Sequence, residues 1–106
     1  RLDLVKLGQF TFRAACETRW PALRLAREVM RTGGLSGAVF NAAKERALDA
    51  FIEKRIGFTR MAAVVEETLN RVSGEGSLIH AGITLDNVRQ ADHFARVTAD
   101  EIMKQQ

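Results

Sequence analysis

Several residue types are scarce in this sequence, and each absence narrows the possible classes of protein. Tyrosine is missing, and the 106 residues include one proline and one tryptophan. Few aromatic residues and abundant alanine favour closely packed helices over a β-sandwich. The single cysteine, Cys16, excludes an internal disulfide and is typical of the reducing cytosol. The sequence shows no signal peptide and no long apolar run.

The residues that are present indicate one globular domain of modest size. Hydrophobic residues make up 46% and charged residues 27% of the chain, which is the composition of a folded protein. The net charge is +3 and the pI about 9.6, and this bias is mild for a surface that binds nucleic acid. We therefore expect neither a nucleic-acid nor a membrane partner. Because the chain starts with Arg1 and not Met, we expect it to be part of a longer protein.

The first 19 residues have a different pattern from the rest of the chain. Leu2 and Leu4 alternate with polar residues, Phe10 and Phe12 do the same further on, and Gly8 interrupts the register between them. This pattern predicts one extended strand, bulged at Gly8, followed by a linker. A lone strand cannot satisfy its own backbone hydrogen bonds, so we expect it to pair outside this chain. In the isolated chain, Phe10 and Phe12 should be exposed, disordered or buried in a self-associated strand pair.

Residues 20–106 are predicted to form four helices, and short loops between them indicate a small four-helix bundle of the mainly α class. The first helix should begin at Pro21 and end at Gly33, and the second should begin near Ser36 and run to Arg55, with Gly57 as a left-handed cap. The residues expected to face inward are Leu23, Ala26, Val29 and Met30 in the first helix and Val39, Ala43, Ala47, Ala50 and Phe51 in the second.

The third and fourth helices have clear starting signals. Thr59 is the predicted cap of the third helix and Thr84 that of the fourth, with Asp86 in its first turn. The loop "SGEGSLIHAG" separates these two helices. The residues expected to face inward are Met61, Val64, Val65, Thr68, Leu69 and Val72 in the third helix and Leu85, Val88, Ala91, Ala95, Ala99 and Ile102 in the fourth.

The sequence contains no convincing catalytic, cofactor-binding or metal-binding constellation. Glu66 and Glu67 have no histidine at the spacing that a di-metal bundle needs, and His80 and His93 have no partner one turn away. The glycines of the loop do not follow a strand, and Ile79 occupies the position of the third glycine of a dinucleotide fingerprint. We therefore predict no catalytic residue, cofactor or metal in this segment, and we interpret Cys16 as a structural or surface thiol.

Two polar patterns leave alternatives open. One side of the first helix carries three arginines, Arg24, Arg27 and Arg31. This side is either a solvated face or a docking surface for an acidic partner or phosphate. In the second helix, Asn41 and Glu45 are one turn apart, with Asn41 inside an apolar stripe. A buried Asn must be hydrogen-bonded, so it either fixes the helix register or presents its amide to a site outside the bundle. Asn41 and Glu45 are the candidates for a structural role.

One family resemblance follows from these residues. The stretch "NAAKERALDAFIEKRIGFT" resembles the C-terminal helical domain of 1-deoxy-D-xylulose 5-phosphate reductoisomerase, whose second helix carries Asn-Ala-Ala-Asn-Glu. Asn41, Ala42, Ala43 and Glu45 match this signature, and Lys44 departs from it. The lead-in "LDLVKLGQFTF" and "RWPALRLA" is similar to the family's strand and helix start, with Ala-Cys in place of the usual Pro-Asp. The tail "ITLDNVRQADHFARVTADEI" is similar to the family's last helix.

The resemblance implies a function that this segment does not carry by itself. The family's enzyme converts deoxyxylulose phosphate to methylerythritol phosphate with NADPH and a divalent cation, Mg²⁺ or Mn²⁺, as a cytoplasmic homodimer. By resemblance, residues 20–106 are its C-terminal support domain, and residues 1–19 are the end of its central domain. The implied partners are the dinucleotide-binding and catalytic domains, and no catalytic residue carries over to this chain. The alternative is an independent helical module that binds an acidic partner through its arginine face.

Overall fold

The computed structural model describes residues 1–74 and 78–105, and in these ranges the chain folds into five helices. Their bounds are α1 Leu4–Leu7, α2 Pro21–Thr32, α3 Ser36–Ile52, α4 Arg60–Gly74 and α5 Leu85–Lys104. Helices α3, α4 and α5 pack against one another, and α2 lies against α3 and α4. The predicted mainly α, four-helix bundle is thereby confirmed. Residues 75–77 of the predicted loop, and Gln106, lie outside the described residues.

The predicted strand at the start of the chain is not seen in the described residues, 1–74 and 78–105, which contain no strand. Residues 4–7 instead form a helical turn, because the carboxylate of Asp3 accepts hydrogen bonds from the amides of Val5 and Lys6 at 3.1 and 3.2 Å. Gly8, at φ 74°, ends the turn by donating its amide to the Leu4 carbonyl oxygen at 3.0 Å. Together with the Leu7 and Gln9 amides, which donate to the Asp3 and Leu7 carbonyl oxygens, these local bonds satisfy the amides of residues 5–9. The division into residues 1–19 and 20–106 stays a prediction.

The junction between α2 and α3 depends on a glycine and a serine. Ser36 donates its hydroxyl to the carbonyl oxygens of Gly33 at 2.6 Å and Val29 at 3.1 Å, which satisfies the end of α2. Gly34 has φ 57°, and a Cβ atom there would overlap the carbonyl oxygen of Ile79. That same oxygen accepts a hydrogen bond from the Leu35 amide at 2.8 Å. The segment after α4 therefore lies directly on a position where only glycine fits.

The end of α3 differs from the prediction. The helix ends at Ile52, and Lys54, at φ 63°, adopts the left-handed conformation that we expected of Gly57. The Arg55 amide donates to the Ala50 carbonyl oxygen at 2.8 Å, so the helix ends three residues earlier than the predicted end at Arg55. A lysine at positive φ is less favourable than glycine, so the local hydrogen bonds must offset this cost.

The predicted inward faces hold for most of α3, α4 and α5 and fail for α2. In α2 the one fully buried residue is Leu25, whereas the predicted core residues Leu23 and Met30 are exposed. Leu85 at the start of α5 is likewise exposed. These errors have one cause, since the outer helix and the helix end touch too few neighbours to bury a full stripe.

Alanines provide most of the buried side chains of α3 and half of those of α5. Seven of them have at most 1% of their surface exposed, and we name this set the alanine seam. Its members are Ala42, Ala43, Ala47 and Ala50 of α3 and Ala91, Ala95 and Ala99 of α5. Side chains this small let two helix backbones approach closely, which fixes the crossing of α3 and α5. None of the helices in the described part of the chain has the length and hydrophobicity of a membrane-spanning segment.

Candidate functional site

The most prominent concave feature is an apolar cleft beside α3, with a volume of about 690 Å³. It lies where the start of α2, the middle of α3 and the start of α4 meet. Its main apolar walls are Trp20, Leu25, Phe40, Leu48, Phe58 and Val65. The deeper residues Leu25 and Val65 belong to the core, whereas Trp20 at the rim is 51% exposed and Phe58 is 63% exposed. Large apolar side chains clustered around one exposed cleft are typical of a contact surface.

Two cations complete the rim of this cleft. The guanidinium of Arg19 lies 5.4 Å from the centre of the Trp20 ring, within the range of a cation–π contact. Lys44 of α3, which is exposed, also lines the cleft. Among the described residues, no aspartate or glutamate lines the cleft. The site therefore combines apolar walls with two positive charges that no lining carboxylate balances.

Residues 1–13, which we name the N-terminal arm, form a second unpartnered apolar region. The arm presents the exposed side chains of Leu2, Leu4, Val5, Leu7, Phe10 and Phe12. Within the described residues, α1 contacts no other helix. Phe12 is 88% exposed and Phe10 is 55% exposed, which agrees with the first of the three outcomes expected for these rings. The arm joins the cleft through residues 14–20, where the Trp20 amide donates to the Cys16 carbonyl oxygen at 2.9 Å.

The opposite side of α3 carries charged groups that are paired. Asn41 is exposed, so the expectation of a buried amide is wrong, and its Nδ2 donates to Glu45 Oε1 at 3.3 Å. Glu45 Oε2 accepts in turn from Arg96 of α5 at 2.6 Å, and Asp92 holds the same guanidinium at 2.8 Å. This row of hydrogen-bonded side chains joins α3 to α5 along the surface above the alanine seam. Asn41 and Glu45 remain candidates for a structural role.

These ion pairs shift the pKa values of the side chains that form them. The hydrogen bond and positive charge of Arg96, with a smaller contribution from Asn41, lower the pKa of Glu45 below its ordinary value. Asp92 and then Glu45 raise the pKa of Arg96. A second pair joins the same helices, because Arg46 donates to both carboxylate oxygens of Asp100 at 2.9 and 3.2 Å, which raises the pKa of Arg46.

The predicted arginine face is largely occupied by the chain's own carboxylates. Arg24 binds Glu28 at 3.0 Å and Glu66 of α4 at 2.9 Å, and Arg27 forms an ion pair with Glu17. Arg31 donates to the backbone oxygen of Arg27 at 3.4 Å. A surface that already satisfies two of its three guanidiniums has little positive charge left for a phosphate or an acidic partner.

The described residues were compared with what the metal and the dinucleotide implied by the family resemblance would need. In the parts of the chain that the structure describes, no group of three His, Cys, Asp or Glu side chains could hold a metal ion. Gly74 is the last residue of α4, where a phosphate would meet the negative end of the helix dipole and not the positive end. His80, His93 and Cys16 are exposed and separate from the cleft lining. No chemical step is therefore assigned to this segment.

By its fold the chain belongs to the class of small helical-bundle domains, here with ion pairs on one side of α3 and an open apolar cleft on another. Comparison with known proteins gives the particular family. The chain belongs to the family described as the DXP reductoisomerase C-terminal domain, whose model matches residues 1–98.

Individual relatives agree with this assignment. Over 103 residues the chain is 61% identical to 1-deoxy-D-xylulose 5-phosphate reductoisomerase of Ruegeria pomeroyi, covering 97% of this chain and 26% of that protein. It is 55% identical over 105 residues to the reductoisomerase of Ruegeria sp. strain TM1040, covering 99% and 27%. The solved reductoisomerase of Zymomonas mobilis in complex with NADPH superimposes with a TM-score of 0.83 at 38% identity, covering 99% of this chain and 26% of that one. The chain thus spans about a quarter of the length of these relatives.

Sequence reasoning found part of the site and missed the rest. It singled out Asn41 and Glu45 but not Arg96, the residue that binds Glu45, although the spacing from Asp92 to Arg96 is that of an ion pair on one helix face. It also missed the cleft, because the lining comes from the segment before α2 and from three helices. The exposed aromatic pair Trp20 and Phe58 was the available signal.

Proposed function

We propose that this chain is the C-terminal support domain of an NADPH-dependent reductoisomerase. The whole enzyme would convert 1-deoxy-D-xylulose 5-phosphate to 2-C-methyl-D-erythritol 4-phosphate in isoprenoid precursor synthesis. The observation that carries the proposal is the family match over residues 1–98, together with 61% identity to a reductoisomerase of which the chain spans 26%. The domain would not be catalytic alone.

The proposed role is to hold the geometry of the catalytic region from the side. Support comes from the paired face of α3, because Arg96 and Arg46 tie α3 to α5 by charged hydrogen bonds and leave the helix little freedom to shift. Further support comes from the open face, where an apolar cleft remains available for contact with another domain. Rigid supporting contacts of this kind keep active-site groups within the small tolerances that catalysis requires.

The remaining components would belong to the other three quarters of the enzyme. We propose that the dinucleotide-binding and catalytic domains supply the NADPH site, the Mg²⁺ or Mn²⁺ site and the substrate contacts. The complete enzyme would be a cytoplasmic homodimer. This assignment agrees with the lack of fit between the described residues and either cofactor.

The alternative of an independent module with an arginine face is less well supported. The guanidiniums of Arg24 and Arg27 already bind Glu28, Glu66 and Glu17. A partner would have to displace these carboxylates before it could bind, so the net gain in electrostatic energy would be small.

A chimeric enzyme tests the proposal directly. This chain replaces the matching segment of the Ruegeria pomeroyi reductoisomerase, and turnover of deoxyxylulose phosphate is followed by the loss of NADPH absorbance. We expect kcat/KM within about tenfold of the parent enzyme, a difference of about 1.4 kcal/mol in the barrier. The controls are the parent truncated before the segment and this chain alone, both of which should be inactive. A chimera that is folded and binds NADPH but is no more active than the truncated parent would contradict the proposal.

A further inference from the structure

We propose that the cleft beside α3 is a docking site for an apolar segment that carries a carboxylate and belongs to the catalytic region of the same enzyme. This inference rests on the proposed function and names the partner surface that the support domain uses. The occupant would come from the polypeptide that the relatives possess beyond the quarter matched by this chain.

The walls of the cleft set the apolar character of the occupant. Trp20, Leu48 and Phe58 are all substantially exposed around one opening, while Leu25 at its base is buried in the core. Covering these side chains removes a contiguous apolar surface from water, which favours an apolar occupant. Tryptophan and phenylalanine beside a preformed hollow are also the residue types that act as anchors in protein interfaces.

The rim sets the charge of the occupant. Arg19 and Lys44 line the cleft, and no aspartate or glutamate among the described lining residues does. The neighbouring Glu45, which Arg96 already binds, is the carboxylate that interacts electrostatically with Lys44. Elsewhere on the bundle, the guanidiniums of Arg24, Arg46 and Arg96 are each paired with carboxylates. An occupant that covered the rim cations without supplying negative charge would leave them desolvated and unpaired, which is costly. A carboxylate on the occupant removes this cost.

Charge also argues against the two other occupants that the chain itself offers. The N-terminal arm is apolar, but it carries Arg1, Lys6 and Arg13 against the single acid Asp3. The N-terminal arm of the same chain, or of a second copy of the chain, would therefore bring net positive charge to a positive rim. The arm is exposed throughout and its helix contacts no other helix in the described chain.

The connectivity brings the proposed occupant to the right place. Residues 18–20 form part of the cleft rim and continue backward into the arm. The relatives are about four times as long as the matched segment, and since the family is a C-terminal domain, the polypeptide that precedes it in the complete enzyme would enter beside this rim. Its attachment beside the cleft gives it a high effective concentration there.

A photo-crosslinking experiment on the chimera identifies the occupant. The photoreactive residue p-benzoylphenylalanine replaces Phe58 in the cleft, or Met30 as a control, since both side chains are exposed and Met30 lies outside the cleft. We expect the Phe58 probe to crosslink within one chain to a peptide of the catalytic region that contains Asp or Glu. The Met30 probe should not label that peptide.

Each other result of the crosslinking would overturn the inference. Capture of residues 1–13 of the same chain would assign the cleft to the arm. Capture of a differently isotope-labelled copy would assign it to an interface between subunits. A Phe58 probe that forms no crosslink, or that labels the same peptides as the Met30 probe, would show that nothing docks there.

Charge reversal at the rim tests the second half of the proposal. Lys44→Glu should reduce the yield of the Phe58 crosslink by about threefold or more, because like charges at a docked rim disfavour contact. Lys44→Arg should retain the yield, and Lys104→Glu, an exposed site on α5, serves as the matched control. An unchanged yield in Lys44→Glu would contradict the predicted carboxylate.

The crosslinking readout does not depend on turnover. An active chimera without the expected crosslink would overturn the docking site and leave the proposed function intact. A chimera that shows the crosslink but lacks activity would instead contradict the proposed function.

Discussion

The two sides of α3 are built in opposite ways. Toward α5, the helix contributes the alanine seam, which is almost completely buried, and above it Arg46 and Glu45 form ion pairs across the helices. Toward the cleft, the same helix presents Phe40, Lys44 and Leu48, which are partly or largely exposed, and Ala47 of the seam also forms part of the cleft lining. One face of α3 is therefore packed against other helices of the chain, and the other face is open to solvent at the cleft.

Because of this contrast, one side of α3 should determine the stability of the chain, and the other side should determine its contact with another domain. Substitutions on the closed side remove contacts that the folded chain already has, so they should lower the free energy of unfolding of the chain itself. Substitutions on the open side remove little from the isolated chain. Their effects should be found mainly in the complete enzyme. The following predictions order these effects by size.

The largest effect is expected at the base of the closed side. Ile102→Ala should lower the free energy of unfolding by about 2–5 kcal/mol, because Ile102 is fully buried among α3, α4 and α5 and the substitution leaves a cavity. The matched control is Ile83→Ala, at a residue that is 76% exposed, with an expected change below about 0.5 kcal/mol. Urea unfolding followed by circular dichroism measures both. Equal midpoints for the two variants would contradict the assigned core.

The next effect concerns Gly34, which lies just before α3. Gly34→Ala should cost about 2–3 kcal/mol, because the residue has positive φ and its new Cβ would overlap the carbonyl oxygen of Ile79. Gly37→Ala is the control, since no atom lies within 4 Å of the added Cβ and alanine favours the helix. Thermal unfolding should show a lower midpoint for the first variant and an equal or higher one for the second.

A smaller effect is expected on the open side. Leu48→Gln should change the stability of the isolated chain by less than about 1 kcal/mol, because the leucine is half exposed and glutamine is a good helix former. Val39→Gln on the same helix places an amide in a fully buried position and should cost several times more. A large loss of stability for Leu48→Gln in urea unfolding would mean that the cleft wall is part of the domain's own core.

The smallest effect is a pH dependence of the ion pair above the seam. Since Arg96 lowers the pKa of Glu45 in the folded chain, this carboxylate stabilises the fold above its ordinary value of 4.5, and the contribution is lost as the pH falls through the lowered pKa. The difference in unfolding free energy between the native chain and Glu45→Gln should therefore be present near neutral pH and vanish in acid. Glu101→Gln, an exposed carboxyl on α5, is the control. A difference that grows in acid would contradict the sign.

The sequence predicted the helices and their caps better than it predicted which helix faces are buried against neighbours. The capping role of Thr84 was predicted and confirmed, because its side chain accepts from the Asn87 amide at 3.1 Å, and the stripe of α4 has the expected burial. These features depend on residues close together in sequence. The prediction of an N-terminal strand overlooked the local cap at Asp3, and the face of α2 was wrong because periodicity does not reveal how many neighbours a helix has.

The candidate site was only partly predictable for a related reason. Asn41 was expected inside the apolar stripe, but the rotation of α3 that buries Ala42 and Ala43 places Asn41 on the surface beside Glu45. Arg96, which binds Glu45, is 51 residues away in the sequence. A cleft or an ion pair assembled from several helices depends on how the helices cross, and the sequence pattern of one helix does not contain that information.

The alanine seam has a consequence for how the domain could take up a partner. An alanine side chain has no rotamers, so ordering the seam costs no side-chain entropy and leaves no alternative packing for it to adopt. Helix α3 is thus fixed from behind by a contact that cannot repack, while its other side faces the cleft. Binding there would need little reorganisation of the wall, and a shift of the bound segment would be resisted by the whole bundle and not by one side chain.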